Sequence, residues 1–325
     1  MSQPRRVVTD IGPADRAFRG IARGGGTTVL VLMAMVGTFL AYRAWDALHV
    51  AGWSFFTVQE WNPDGGRFGI AAIIVGTVLI AVVAVVVALP LAMAGALYIS
   101  EYSPRWLKQW LVTGVDLMAA IPSVVYGLWG FKFLQWNIVP LSRWLSDWFG
   151  WIPLFTVDGV TRHDPLPNGT VFTSSTFIAG LVVALMITPI ACSVMREAFG
   201  QAPQGEREGA YALGATRWGM IRRVVLPFGR GAVIGGTMLG LGRALGETIA
   251  VVLIISPVFI IQPHILQNGT SSVSSLIALR FGESSPFGIS ALMAAGLALF
   301  ALTLVVNFLA SIIVSRSRSG AVSEV

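Results

Sequence analysis

The stretch EGAYALGATRWGMIRRVVLPFGRGAVIGGTMLGLGRALGE, residues Glu208–Glu247, decides the fold of this chain. Its first half is polar and rich in arginine, and it lies between two apolar segments. Its second half is apolar and carries Arg243 and Glu247 into a hydrophobic span. We interpret the rest of the sequence as the scaffold around this junction.

The composition indicates an integral membrane protein. The 325 residues are 55% hydrophobic and 12% charged, with a mean hydropathy of +0.74, whereas soluble domains carry about 25% charged residues. The single cysteine, Cys192, excludes an internal disulfide and a cysteine-based metal site, and no cofactor is expected. The net charge of +6 does not indicate nucleic-acid binding, because no basic run is interleaved with aromatic residues.

Six apolar spans predict an all-α protein with six transmembrane helices. They cover residues 27–48, 70–97, 111–133, 176–195, 231–261 and 288–314, and each is about long enough to cross a core of ~30 Å. The chain therefore divides into an N-terminal leader (1–26), a transmembrane domain (27–314) with a polar loop at 196–230, and a C-terminal tail (315–325). The first span is interpreted as an uncleaved helix and not a signal peptide, because no small-residue cleavage site follows it.

The basic residues predict the orientation in the membrane. With the N-terminus inside, most Lys and Arg residues fall in inner segments, and four fall in outer loops. The inner ones are Arg5, Arg6, Arg16, Arg19, Arg23, Arg105, Lys108, Arg196, Arg207, Arg217, Arg222, Arg223, Arg230, Arg316 and Arg318, and the outer ones are Arg67, Arg143, Arg162 and Arg280. Because inner loops are enriched in Lys and Arg, both termini are expected in the cytoplasm.

The polar loop at 196–230 predicts a helix–turn–helix on the inner face of the membrane. Residues Gln204–Leu213 favour a short helix, and Gly214 permits a turn. Thr216 is a suitable N-cap for a second helix, which Pro227 is expected to break before the fifth span. The small residues around the turn would let another protein approach closely; the alternative is an ordinary basic inner loop that only sets topology.

The spacing in this loop resembles the coupling motif of ABC importer permeases, E-A-A-x3-G-x9-I-x-L-P. The matching residues are Glu208, Gly209, Ala210, Gly214, Val224, Leu226 and Pro227, with Gly209 in place of Ala and Val224 in place of Ile. The resemblance implies that the loop docks on a cytoplasmic ATPase dimer. Neither lysine of the chain lies in a Walker A motif, so we expect a transport subunit that is not itself an enzyme.

The fifth span carries two charged residues. Arg243 lies twelve residues past Gly231, about 18 Å along a helix, and Glu247 at i+4 is expected on the same helix face. Each charge costs roughly 2.5–3.5 kcal/mol at the centre of a bilayer, so the pair should face protein or a water-filled path. Two interpretations remain open: a buried structural pair, or a substrate path in which Arg243 donates to an oxyanion.

The segment LGLGRALGETIAV, residues Leu239–Val251, is similar to the signature of the phosphate-specific ABC importer permeases, in particular their C-type subunit. IPSVVYGLWG (Ile121–Gly130) and FFTVQEWNP (Phe55–Pro63) agree with it. The resemblance implies a MetI-like fold in the cell membrane and a phosphate path that includes Arg243 and Glu247. It also implies three partners: a homologous A-type permease subunit, a cytoplasmic ATPase dimer and a phosphate-binding protein.

Other functions are weighed against phosphate import. The coupling motif alone does not name the cargo, so a sulfate or molybdate permease is the alternative within the transporter class. A phosphate-sensing or scaffolding membrane subunit is compatible with the same residues. A membrane enzyme would need a nucleophile or metal constellation that the sequence lacks, and a channel would not need the coupling loop.

Overall fold

The computed structural model describes residues 12–160 and 169–317, with side chains up to Ile312. Parts of the predicted leader and tail, residues 1–11 and 318–325, lie outside the described residues. The helices are α1 (Pro13–Ala51), α2 (Ala71–Leu97), α3 (Arg105–Ala120), α4 (Ser123–Trp129), α5 (Gln135–Asn137), α6 (Val139–Phe149), α7 (Thr176–Gly200), α8 (Gln204–Ala212), α9 (Arg217–Met220), α10 (Leu226–Gly246), α11 (Ile249–Ile254), α12 (Val273–Arg280) and α13 (Pro286–Ser317). A small antiparallel hairpin pairs β1 (Trp61–Asn62) with β2 (Arg67–Phe68).

In the described part of the chain, three π-helical turns interrupt or extend these helices. They are Tyr98–Tyr102 after α2, Gly130–Leu134 after α4, and Ile221–Val225 between α9 and α10. Such wide turns are rare in proteins, and those that occur often lie at functional sites. Ile221–Val225 lies within the predicted coupling loop, and Tyr98–Tyr102 contacts that loop through Glu101 and Tyr102.

The number of membrane spans agrees with the prediction of six. Within the described ranges, five helical segments are long and apolar enough to cross a membrane, and the bent pair α3–α4 gives a sixth if it counts as one span. The first helix begins at Pro13 and not at Thr27, because the polar residues before the apolar span continue the same helix. Pro13 suits the first turn, where its missing N–H has no intrahelical partner in any case.

The centre of the fold is the packing of α2 against α7. Ala84, Ala88, Ala92 and Ala96 repeat at every fourth position along α2 and are all buried. On α7, a Cβ added at Gly180 would come within 2.5 Å of the Val83 side chain. Small residues at this spacing let two membrane helices approach closely, so dispersion contacts along their length stabilise the pair.

The third span is not one straight helix, as residues 111–133 had suggested. α3 ends at Ala120, and the chain bends by 88° before it continues as α4. Pro122 at the bend lacks an N–H and restricts Ile121 to extended backbone, with ψ 129°. Pro90 and Pro189, in contrast, lie inside continuous helices.

The fifth span is also interrupted, contrary to the helix predicted for residues 231–261. α10 ends at Gly246, and Glu247 has an extended ψ of 128°. A short helix, α11, follows and ends at Ile254. The residues after it return as non-helical chain to α12. Irregular backbone at membrane depth is tolerated where it is buried in protein or lines a cavity.

Candidate substrate path and coupling surface

The two interrupted spans meet inside the membrane domain. A Cβ added at Gly127 on α4 would lie 2.7 Å from the Cα of Ala250 on α11, so the two short helices touch through their backbones. Transporters commonly build substrate sites from discontinuous helices of this kind, because broken helices expose backbone dipoles inside the membrane. The junction of α4, α10 and α11 is therefore the candidate substrate site.

Arg243 lies in the last turn of α10, directly before the break. Its side chain is exposed on the surface of the isolated chain. Within the described part of the chain, its guanidinium forms no hydrogen bond and no ion pair. A free charge in a membrane-crossing helix is too costly to face lipid, so this surface must face a partner subunit or water.

Glu247 is the C-cap residue of α10, with φ −68° and ψ 128°, so the helix ends four residues after Arg243. Arg243 is exposed, and within the described residues no ion pair joins it to the carboxylate of Glu247, contrary to the interpretation as a buried ion pair. Glu247 is 9% exposed, and its Oε1 accepts a hydrogen bond from the N–H of Ala250 at 3.3 Å. Its backbone carbonyl accepts one from the Ser274 hydroxyl at 2.7 Å. Glu247 therefore holds the break in place from both sides.

Tyr126 is a neighbour of Arg243 that the sequence reasoning did not single out. It is buried on α4, and its hydroxyl is close enough to interact electrostatically with the guanidinium of Arg243. The hydroxyl donates to the Met118 carbonyl oxygen at 2.9 Å. The only sequence signal was its position within the stretch IPSVVYGLWG. The phenol, within electrostatic range of the free guanidinium, adds a second polar group to the candidate path.

The predicted helix–turn–helix is largely confirmed. α8 ends in a Schellman motif, in which Ala215 donates to Ala210 at 3.0 Å and Gly214 donates to Tyr211 at 2.9 Å. Gly214 has φ +80°, a conformation that side chains disfavour. The hydroxyl of Thr216 accepts from the Gly219 N–H at 3.2 Å and caps α9 as predicted.

An open groove runs between α8 and α9, and we call it the α8–α9 groove. It is lined by Glu206, Gly209, Ala210, Leu213, Gly214, Ala215, Thr216, Trp218, Gly219, Arg222, Arg223 and Val224. Leu213 is 91% exposed and Trp218 is 56% exposed. Exposed apolar side chains rimmed by charges are typical of a protein-docking surface.

The structure brings only some of the predicted coupling residues to this groove. Gly209, Ala210 and Gly214 line it. Glu208 is exposed outside the lining, and Leu226 packs against the buried cluster beneath the loop. Pro227 does not break a helix, because Ile221–Val225 forms a π-helical turn and α10 continues through Pro227 without a gap. In the first turn of α10, proline is tolerated.

Comparison with known proteins identifies the family. The family model described as the binding-protein-dependent transport system inner membrane component matches residues 87–319. The chain belongs to this family. Its permease relatives include the phosphate transport system permease protein PstC of Pasteurella multocida, 38% identical over 300 residues, which cover 92% of this chain and 91% of the relative. The Mycobacterium tuberculosis protein PstC 2 is 36% identical over 327 residues, which cover 98% of each chain.

Solved structures share the permease fold at low sequence identity. A bacterial alginate ABC transporter, solved in complex with an alginate pentasaccharide-bound periplasmic protein, aligns with a TM-score of 0.60 at 19% identity over 97% of this chain and 99% of its own. The inward-facing MetNI methionine ABC transporter aligns with a TM-score of 0.52 at 13% identity over 76% of this chain and 95% of its own. These alignments confirm the MetI-like fold, and the permease is a multi-pass membrane protein.

Proposed function

We propose that this permease is the membrane subunit of an ATP-driven importer that carries inorganic phosphate into the cell. The free, exposed guanidinium of Arg243 at the end of an interrupted membrane helix carries the proposal. A guanidinium offers paired donors that match the oxygens of an oxyanion. The relatives named as phosphate transport system permeases support phosphate over sulfate or molybdate as the cargo.

The surroundings of Arg243 suit passage more than tight binding. Besides Arg243, the junction offers the Tyr126 hydroxyl and the Glu247 carboxylate, and one oxygen of that carboxylate already holds α11. A path must bind its substrate strongly enough to admit it and weakly enough to release it. A single guanidinium with an acidic residue four positions later in the chain suits that requirement for a phosphate ion that has left its binding protein.

The α8–α9 groove is the proposed docking site for a separate ATPase dimer. Its exposed Leu213 and Trp218 offer an apolar contact, and Arg222 and Arg223 add positive charge at its edge. Charge placement in the sequence supports a cytoplasmic position for this groove and for both termini. A homologous A-type permease subunit would cover the exposed face around Arg243, and a phosphate-binding protein would deliver the ion from outside.

The direct test is transport in vesicles that contain the permease, its A-type partner and the ATPase. Uptake of labelled phosphate is measured with and without ATP and binding protein, and sulfate and molybdate are added as competitors. We expect uptake that needs both ATP and the binding protein and that neither competitor reduces. Uptake that sulfate or molybdate suppresses as strongly as unlabelled phosphate does would overturn the assignment of the cargo.

A further inference from the structure

The π-helical turn Tyr98–Tyr102, at the end of α2, is joined to both halves of the coupling segment, which we define as residues 204–225. From α8, the Nη1 of Arg207 donates to the Oε2 of Glu101 at 2.9 Å. From α9, the guanidinium of Arg217 lies over the ring of Tyr102, 5.1 Å from its centroid. A cation held over an aromatic face is attracted by the ring. One short turn thus receives a basic side chain from each helix of the segment.

The link between Arg207 and Glu101 is buried and highly directional. The side chain of Glu101 is 4% exposed and that of Arg207 is 20% exposed. Arg207 also donates to the backbone carbonyls of Ala202 and Phe199, so its guanidinium is fixed in one orientation. The other carboxylate oxygen of Glu101 has no hydrogen-bond partner in the described part of the chain. Replacement of a buried ion pair by apolar side chains often leaves a protein equally stable or more stable. We therefore interpret the Arg207–Glu101 pair as a contact that positions α8 against the turn Tyr98–Tyr102.

The far end of α2 is joined to the break in the fifth span. The hydroxyl of Thr77 on α2 accepts a hydrogen bond from the N–H of Val273 at the start of α12, at 3.0 Å. The next residue, Ser274, donates to the carbonyl of Glu247 at 2.7 Å. Thr77 and Glu101 lie 24 positions apart, about 36 Å along a helix. A single helix therefore has the coupling segment at one end and the Arg243–Glu247 break at the other.

We infer that α2 is the element that carries movement of the coupling segment to the substrate site, through Arg207 and Arg217 at one end and Thr77 at the other. The inference rests on the proposed docking of an ATPase at the α8–α9 groove. A closely packed helix moves as a rigid unit, so displacement of its end at Glu101 is passed on to the contact at Thr77. Rigid elements of this kind carry coupling only when both sites bias their position.

The test follows a thiol at the break in response to ATP, so it does not depend on the cargo. In a Cys192→Ala background, Gly246→Cys places a thiol at an exposed position with open space around it. The assembled complex is treated with a thiol reagent with and without ATP. We expect the labelling rate to change with ATP when Arg207, Arg217 and Thr77 are intact.

Each link is then weakened by Arg207→Lys, Arg217→Gln or Thr77→Val. We expect each variant to copurify with the ATPase and to show a roughly 3- to 30-fold smaller ATP-dependent change in labelling. Arg230→Gln, an exposed arginine of α10, and Thr38→Val, an exposed threonine of α1, are the matched controls and should label as the parent does.

Assembled variants that keep the full ATP-dependent change in labelling would overturn the inference. If a substitution at a buried residue reduces assembly of the complex, the labelling of Arg217→Gln is the deciding result, because both Arg217 and Tyr102 are exposed. Failure of the proposed function is recognised separately. A parent complex that responds to ATP but carries no phosphate refutes only the cargo, whereas a parent that does not bind the ATPase refutes the docking and the inference together.

Discussion

The hydroxyl of Tyr126 donates a hydrogen bond to the carbonyl oxygen of Met118, 2.9 Å away, across an 88° bend in the third span. The last carbonyls of a helix have no partner within the helix, and the membrane interior has no water to replace one. The bond therefore stabilises the bend. It also holds the phenol within electrostatic range of Arg243, where the candidate path runs.

Tyr126→Phe should weaken this bend. Loss of one buried hydrogen bond costs about 1 kcal/mol and leaves the Met118 carbonyl with only a long 3.4 Å contact from Ile121. We expect a lower thermal unfolding temperature of the purified permease and slower phosphate uptake. Tyr42→Phe, on the exposed surface of α1, is the control and should change neither. Unaltered stability and uptake in Tyr126→Phe would show that the bond does not hold the bend.

Gly127→Ala should separate α4 from α11. The new Cβ would lie 2.7 Å from the Cα of Ala250, a backbone atom that cannot rotate away. Overpacking of this kind costs about 1–3 kcal/mol, so we expect reduced thermal stability and loss of uptake. Gly114→Ala on α3 adds the same methyl group in open space and serves as the comparison. Equal behaviour of the two variants would contradict the close packing of the interrupted spans.

The helix–turn–helix of the coupling segment could be predicted because its signals are local. Gly214 in the left-handed region and Thr216 as an N-cap act on neighbouring residues, so their positions in the sequence were sufficient. Hydropathy likewise located α2 and α7 to within a few residues, since the membrane selects long apolar segments. The role of Pro227 was predicted wrongly, because the π-helical turn before it lets the helix continue.

Gly214→Val tests whether that local turn shapes the docking surface. A β-branched residue in the left-handed conformation costs roughly 1–2 kcal/mol, so the turn between α8 and α9 should open. We expect the amount of copurified ATPase to fall by about 5- to 30-fold, the factor that corresponds to this free energy. Gly205→Ala, inside α8 and with open space around it, should copurify normally. Normal copurification of Gly214→Val would argue against docking at the groove.

The break at Glu247 could not be predicted from the sequence, because its partners are distant in the chain. The Ser274 hydroxyl that satisfies its carbonyl comes from α12, 27 residues later. The hydrophobic pattern of residues 231–261 is a continuous apolar run, which predicts one helix. The contact between Glu101 and Arg207 joins residues 106 positions apart and is hidden in the same way. Tertiary partners of this kind decided the geometry of the candidate site.

Glu247→Gln separates two roles of Glu247, the capping of α11 and the negative charge at the candidate path. The amide oxygen of glutamine can still accept from the Ala250 N–H, so the cap of α11 and the fold should survive. The negative charge is lost. If the charge acts on phosphate or on Arg243, we expect uptake to fall by about tenfold, about 1.4 kcal/mol, and the preference over sulfate to shrink. Unchanged uptake and preference would leave Glu247 as a helix cap only.

Phosphate uptake by Arg243→Gln, compared with the parent permease in the same assembled complex, tests the central claim most directly. Charge-assisted hydrogen bonds contribute about 1.5–3 kcal/mol, so their loss should slow uptake by about 10- to 100-fold. Because the side chain is exposed and unpaired within the described residues, assembly and ATPase copurification should not change. Uptake at the parent rate with intact assembly would contradict a substrate path through Arg243.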